Sequence, residues 1–156
     1  MNNSEVVQLY TDGGCRGNQS DNNIGAWGAY MTYKGYVNEI AGSANNTTNN
    51  IMELTGCIEG LKAIVNKSLP VVVYLDSAYV LNGITSWISK WKSNGWLTSK
   101  KQPVLNADLW KELDMIVSQF PNIQFVKVKG HSDNFGNIQA DRLCNEMMDS
   151  MEELYI

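Results

Sequence analysis

Four acids occupy settings suited to holding a metal ion. Asp12 follows the β-rich run Val6–Thr11 and precedes the polar, glycine-rich stretch Gly13-Gly14-Cys15-Arg16-Gly17-Asn18. Asp76 closes Val71-Val72-Val73-Tyr74-Leu75, Glu53 lies between Met52 and Leu54, and Asp141 lies in Ala140-Asp141-Arg142-Leu143. A strand ending in a carboxylate and a glycine-rich turn holds the acid at the rim of a sheet, with backbone groups beside it for a ligand. Singly, each acid has an ordinary explanation as a turn former, a solvated strand end or a helix acid. Together they would repel and raise one another's pKa values. Hard divalent cations relieve that conflict, and magnesium favours a few carboxylates plus water and phosphate oxygens. Two such ions about 3.5–4 Å apart activate a water on one side and stabilise the leaving oxygen on the other, which is the chemistry of phosphodiester cleavage.

The elements that must position these acids follow from periodicity. Val6–Thr11 reads as a strand, and Gly25–Tyr33 and Tyr36–Ser43 read as two more, joined by a hairpin turn at Lys34-Gly35. Asn45-Asn46-Thr47-Thr48 supplies caps for a helix from about Asn49 to Asn66, with Ile51, Leu54, Ile58, Leu61 and Val65 on one face. The continuous apolar run from Pro70 to Leu75 predicts a central strand buried on both faces and parallel to the first. Ser77–Asn94 predicts a helix broken near Gly83, Trp96–Gln102 a basic loop, and Pro103 the opening of a helix to about Gln119. Asn122–Lys129 alternates as a strand, Gly130–Asn137 is a polar loop, and a last helix is expected from about Ile138 to Met151, with Asp141 in its first turn. The order βββαβ-αα-βα describes one mixed α/β domain across residues 1–156, without repeats or linkers.

Composition sets limits on function. The 156 residues are 44% apolar and 18% charged, as in a globular fold with its own core. The basic start and apolar stretch of a signal peptide are missing, and no apolar run approaches the roughly 18 residues of a membrane span. Cys15, Cys57 and Cys144 lack metal-ligand spacing and read as reduced thiols of a cytoplasmic protein. The net charge of −4 opposes nucleic-acid binding until its distribution is considered. Ser77–Ala107 contains Lys90, Lys92, Lys100 and Lys101 and no acid, whereas Glu146, Asp149, Glu152 and Glu153 crowd an acidic tail over about 146–156. A lysine run is more often only a solvated face.

Thr11-Asp12-Gly13-Gly14-Cys15-Arg16-Gly17-Asn18, Thr48-Asn49-Asn50-Ile51-Met52-Glu53-Leu54, Leu75-Asp76-Ser77-Ala78-Tyr79-Val80, Val128-Lys129-Gly130-His131-Ser132 and Asn137-Ile138-Gln139-Ala140-Asp141 occur in that order. In this combination the chain resembles ribonuclease H of the bacterial type 1, from about Val6 to Met148. The resemblance implies a ribonuclease H-like fold: a mixed five-stranded sheet, with a three-strand antiparallel meander and two parallel strands, flanked by helices and carrying a basic helical handle. It also implies an endonuclease that hydrolyses the RNA strand of RNA–DNA hybrids, leaving 5′-phosphate and 3′-hydroxyl ends. Asp12, Glu53, Asp76 and Asp141 would hold two Mg2+ ions, with Mn2+ as a substitute.

By the same resemblance His131, the only histidine in the chain, serves proton transfer or product release. Magnesium's preference for oxygen ligands argues against metal ligation by His131. Gly13, Gly14, Cys15, Asn49 and Asn50 are the matched candidates for sensing the ribose 2′-hydroxyl, the group that distinguishes RNA from DNA. Asn18 and Thr48 match residues that hold a DNA-strand phosphate. Trp87, Trp91, Lys92, Lys100 and Lys101 belong to the handle, with Ile88, Gly95, Trp96 and Trp110. There Trp87 would present a flat face to a DNA sugar while lysines offset phosphate charge. Much of the tryptophan surface is equally suited to the core of a helical subdomain. The chain departs from the family pattern at Gln19-Ser20, Gly14, Ala78 and Ile138, none of them a metal ligand.

A non-catalytic hybrid-binding module would have lost at least one of the four acids. The handle and the Thr-Asn-Asn segment favour the hybrid-specific type over another nuclease or strand-transfer enzyme of the same fold, a choice that fold alone would not justify. The first strand is expected within about six residues of Met1, so no separate hybrid-binding domain is expected before it. The expectation is a monomer without a membrane or an obligate protein partner.

Overall fold

In the computed structural model, residues 5–17, 23–129 and 134–154 are described. Alternation builds the first strand, β1 (Val7–Arg16): Val7, Leu9 and Thr11 turn into the core while Gln8 and Tyr10 take the other face. It runs further than the expected end at Thr11. Asp12–Arg16 pair antiparallel with the first half of β2 (Ile24–Tyr33), Asp12 opposite Gly28 and Arg16 opposite Ile24. Asp12 therefore lies within a strand rather than at a turn. The glycines after it read as a turn only because their partners lie in a distant segment. β2 continues through the Lys34-Gly35 turn into β3 (Tyr36–Asn45), two residues longer than expected.

Thr48 caps α1 (Asn49–Lys62) by accepting the Ile51 N–H on its Oγ1 at 3.1 Å. The helix ends short of Asn66, because the chain turns at Ala63. Val65 consequently leaves the expected apolar stripe and is 96% exposed, and Ile64 is buried instead. β4 (Val71–Leu75) runs parallel to β1, Val7 opposite Val71 and Thr11 opposite Leu75. The five strands lie in the order β3-β2-β1-β4-β5, where β5 (Ile123–Lys127) is parallel to β4. β4 is central but not buried on both faces. Val71, Val73 and Leu75 are buried, whereas Val72 and Tyr74 are half-buried.

The expected break at Gly83 takes the form of a π-helical turn, Gly83–Trp87, between α2 (Ala78–Asn82) and α3 (Ile88–Asn94). Gly95, with φ 78°, closes α3 in the left-handed region. Pro103 does not open the next helix. It bridges back to Leu97, and α4 (Ala107–Val117) starts after Asn106. The last helix, α5 (Phe135–Glu153), begins three residues before Ile138 because Asn134 caps it, accepting the Asn137 N–H at 3.0 Å. Asp141 is thereby moved from the first helical turn to the second.

The main core packs Leu9, Leu54, Ile58, Leu61, Val73 and Leu75 with Trp110 and Leu113 of α4. A smaller core on the opposite face joins Ile24 and Ala26 of β2 to Cys144 and Met148 of α5. Gly28 permits that second layer, since a Cβ there would lie 2.5 Å from the Ala140 carbonyl oxygen. Along the end of α5 Met148, with Met147 and Met151, packs on this second core, whereas Glu146, Asp149, Glu152 and Glu153 stay exposed. Among the described residues, no helix is long and apolar enough to cross a membrane.

Candidate active site

The pairing of β1 with β4 ends at Thr11 and Leu75, so Asp12 and Asp76 follow as neighbours just past the last paired residues. Glu53 arrives from α1 because Gly13 lets that helix approach. A Cβ on Gly13 would lie 2.4 Å from the Met52 carbonyl carbon and 2.6 Å from the Glu53 nitrogen. Carboxylate oxygens of Asp12, Glu53 and Asp76 lie within 4.8 Å of one another. The Gly13 N–H donates to Asp12 Oδ1 at 2.9 Å and to Glu53 Oε1 at 3.2 Å. Asp141, exposed on α5, lies beside Asp12 but outside this close group of three. Four elements therefore contribute to one acidic rim.

The rim is electrostatically strained. Burial, then the charge of Asp76 and contact with Asp141, push the Asp12 carboxyl up to about 7. Burial and the charges of Asp12 and Asp76 push Glu53 up to about 10. Cys144, next to this group, is pushed up to about 12 by burial and then by Asp12, Glu53 and Asp141. Glu53 Oε2 is buried with no hydrogen-bond partner among the described residues, a costly arrangement unless something cationic approaches it. An all-oxygen donor set, mutual repulsion and an orphaned buried oxygen fit a divalent metal ion.

The flanking residues are also accounted for. Asn49 Oδ1 accepts the Cys15 N–H at 2.8 Å, tying the start of α1 to β1. In the Gly13–Cys15 segment two N–H groups are therefore already engaged by side chains. Thr48 and Asn50 are exposed beside Asn49, and Gly14 has space around it, the nearest atom to an added Cβ being Asn49 Oδ1 at 3.8 Å. Asn18 and His131 lie outside the described residues.

Trp87, Trp91, Lys92, Lys100 and Lys101 form a second group, on α3, the π-helical turn before it and the loop beyond. Trp87 and Trp91 are half-buried and pack on each other at 5.9 Å and on Trp110 at 6.3 and 5.5 Å. Trp110 is completely buried, with its Nε1 donating to the Tyr79 hydroxyl at 3.1 Å, so for Trp110 the core reading is correct. Lys100 and Lys101 are exposed, but Lys92 is paired with Asp114 of α4 at 3.2 Å. That acid lies beyond the acid-free stretch and meets Lys92 only through packing of α3 near α4.

Two basic residues near the rim escaped the sequence reading. Lys127, the last residue of β5, donates to the Asp76 carbonyl oxygen. Only the parallel register, which sets Leu75 opposite Lys127, would have indicated it. Arg16 reaches Asp149, Glu152 and Asn145 of α5.

A mixed five-stranded sheet with this strand order and this acidic edge has the ribonuclease H fold. LC9-RNase H1, described as a type 1 RNase H with the type 2 active-site motif, superposes with a TM-score of 0.82 at 29% identity, over 94% of this chain and 73% of that one. The profile of the RNase H family matches residues 4–149. Ribonuclease H of Caldanaerobacter subterraneus subsp. tengcongensis is 50% identical over 94% of each chain, and that of Methylobacillus flagellatus is 45% identical over 95% of each. The chain belongs to the ribonuclease H family of endoribonuclease hydrolases, in its bacterial type 1 form.

Proposed function

We propose that this enzyme cleaves the RNA strand of RNA–DNA hybrids endonucleolytically, leaving 5′-phosphate and 3′-hydroxyl ends, as one catalytic unit over residues 1–156. The observation that carries this reading is the meeting of Asp12, Glu53 and Asp76 from β1, α1 and β4, with Asp141 alongside. Those four carboxylates would hold two Mg2+ ions, for which Mn2+ substitutes. Bound there, the metals would lower the pKa of a water and offset charge on the leaving oxygen.

The chain's own residues supply position and selectivity. Gly13 holds α1 against β1, so the acids are in place before substrate arrives and little reorganisation is needed. Asn49, oriented by Cys15, stands with Asn50 and the Gly13–Cys15 backbone where a ribose 2′-hydroxyl is to be sensed. Thr48 and Asn18 take a DNA-strand phosphate, a contact that positions the duplex without reading bases. Trp87 and Trp91 offer ring surface to the DNA strand, and Lys100 and Lys101 with Lys92 offset phosphate charge. His131 assists proton transfer or product release. The reading also places the enzyme in the cytoplasm as a monomer with reduced cysteines.

The test is to incubate purified protein and Mg2+ with labelled hybrid, double-stranded RNA and double-stranded DNA, alongside Asp12→Asn. Cleavage of the hybrid alone, lost in the variant, is expected. Equal cleavage of all three duplexes, or full activity in Asp12→Asn, would overturn the reading. His131→Ala should slow turnover and leave Mg2+ binding intact, and loss of binding would remove the assigned role.

A further inference from the structure

Asp12, Glu53 and Asp76 are tied together by short connections: the β1–β4 register, the Gly13 N–H and the close approach of α1. Asp141 is not. It stands on a separate helix, which packs on β2 at Gly28–Ala140 and Ala26–Cys144, so its distance from Asp12 also depends on what holds that helix further along. Arg16 is positioned to do so. It is the last residue of β1, in the same strand as Asp12, and its guanidinium points to α5. Nη1 meets Asp149 Oδ1 at 2.7 Å and Glu152 Oε1 at 3.0 Å, and Nη2 meets Asn145 Oδ1 at 3.1 Å. Asn145 in turn donates its Nδ2 to the Asp141 carbonyl oxygen at 3.0 Å.

This inference rests on the proposed two-metal site. We propose that Arg16 is a positioning residue, a clamp that fastens α5 to β1 through Asn145, Asp149 and Glu152 and sets the separation of Asp141 from Asp12. A planar fork that satisfies three partners on one helix face has the geometry for that task, and an ammonium group does not. Isolated exposed ion pairs contribute little, but here two acids and an amide converge on one guanidinium that is 31% exposed. The acidic tail thereby has a role: Asp149 and Glu152 are the far ends of the clamp.

The experiment compares wild type with Arg16→Met, Arg16→Lys and the double variant Asp149→Asn/Glu152→Gln. Amide hydrogen exchange without any metal should rise about fivefold over Asp141–Glu152 in Arg16→Met and in the double variant. The Mg2+ dissociation constant, followed through the Asp141 backbone amide shift, should rise about three- to tenfold, below the roughly 10–100-fold for loss of a direct hydrogen-bond partner of a ligand, because Arg16 acts through the helix. The KM for hybrid at saturating Mg2+ should stay as in wild type, because the clamp does not touch substrate. Arg16→Lys should recover part of the Mg2+ affinity. Unchanged Mg2+ affinity in Arg16→Met overturns the proposal, whatever the exchange rates do. A raised KM with unchanged Mg2+ affinity also overturns it and makes Arg16 a substrate contact. If the hybrid-cleavage reading failed, the exchange and Mg2+ measurements would still decide the clamp.

Discussion

Replacing Asp12 with Asn should abolish cleavage and, without metal, make the protein more stable. Burial and neighbouring acids move the Asp12 carboxyl from an ordinary 3.8 to about 7. Such a shift costs about 1.4 kcal/mol per pKa unit, so ionising this group in the folded state costs at most about 4 kcal/mol relative to the unfolded chain. Asn keeps an acceptor for the Gly13 N–H and cannot ionise. Part of the ceiling is lost because protonation of a neighbour already relieves some repulsion, which leaves an expected gain of about 1–3 kcal/mol at pH 8 in EDTA. The sign follows from proton counts. Between about pH 4 and pH 7 the folded state keeps a proton that the unfolded chain has lost, so wild-type stability falls as pH rises through that window and then levels. Asp12→Asn should lack that component of the fall, and its advantage should shrink toward pH 4. Adding Mg2+ should reverse the order, because a ligand for the folded state stabilises only the protein that binds it. Urea unfolding followed by circular dichroism at pH 5 and pH 8, with EDTA or Mg2+, measures each quantity. A variant no more stable than wild type at pH 8 in EDTA, or an advantage independent of pH, would refute the reasoning.

Gly13→Ala should cost about 2–3 kcal/mol and activity with it, because its Cβ would meet the Met52 carbonyl carbon at 2.4 Å. Gly14→Ala, with 3.8 Å of clearance, should change stability by less than about 0.5 kcal/mol, both variants being compared by urea unfolding. Native protein should react with a thiol reagent at Cys15 alone, and slowly. Cys57 and Cys144 are buried, burial raises the Cys15 thiol as well, and all three should label in denaturant. Removing Lys100 or Lys101 should lower the salt slope of hybrid binding by about one each. Lys92→Ala should lower it less, since Asp114 already holds that ammonium.

Features whose partners lie nearby in sequence are legible in it. The hairpin at Lys34-Gly35 follows from local turn chemistry, and both residues adopt positive φ, 52° and 81°. The cap at Thr48 and the strand before Asp76 were also legible, because each depends on a few consecutive residues. Where another segment decides, the local pattern does not carry the answer. β1 continues past Asp12 because β2 supplies glycines across from it, and α1 stops at Lys62 although Val65 keeps the apolar spacing. Asn134, not the later Ile138, opens α5, which moves Asp141 by most of a turn. The settings of Asp12, Glu53, Asp76 and Asp141 predict that all four converge; the first three form the close group and Asp141 stands beside Asp12. Arg16 and Lys127 had no comparable signal, because their partners are reached only through the parallel register and the docking of α5.

The pairing of Val7 with Val71 has a kinetic consequence. A long loop must close before Asp12 and Asp76 can meet, and α5 must dock before Asp141 joins them, so the acidic edge is expected to be among the last features to assemble. An ion that requires the finished edge has little to grip in the folding transition state. Magnesium should therefore leave the refolding rate nearly unchanged and slow unfolding, shifting one arm of a chevron plot and not the other.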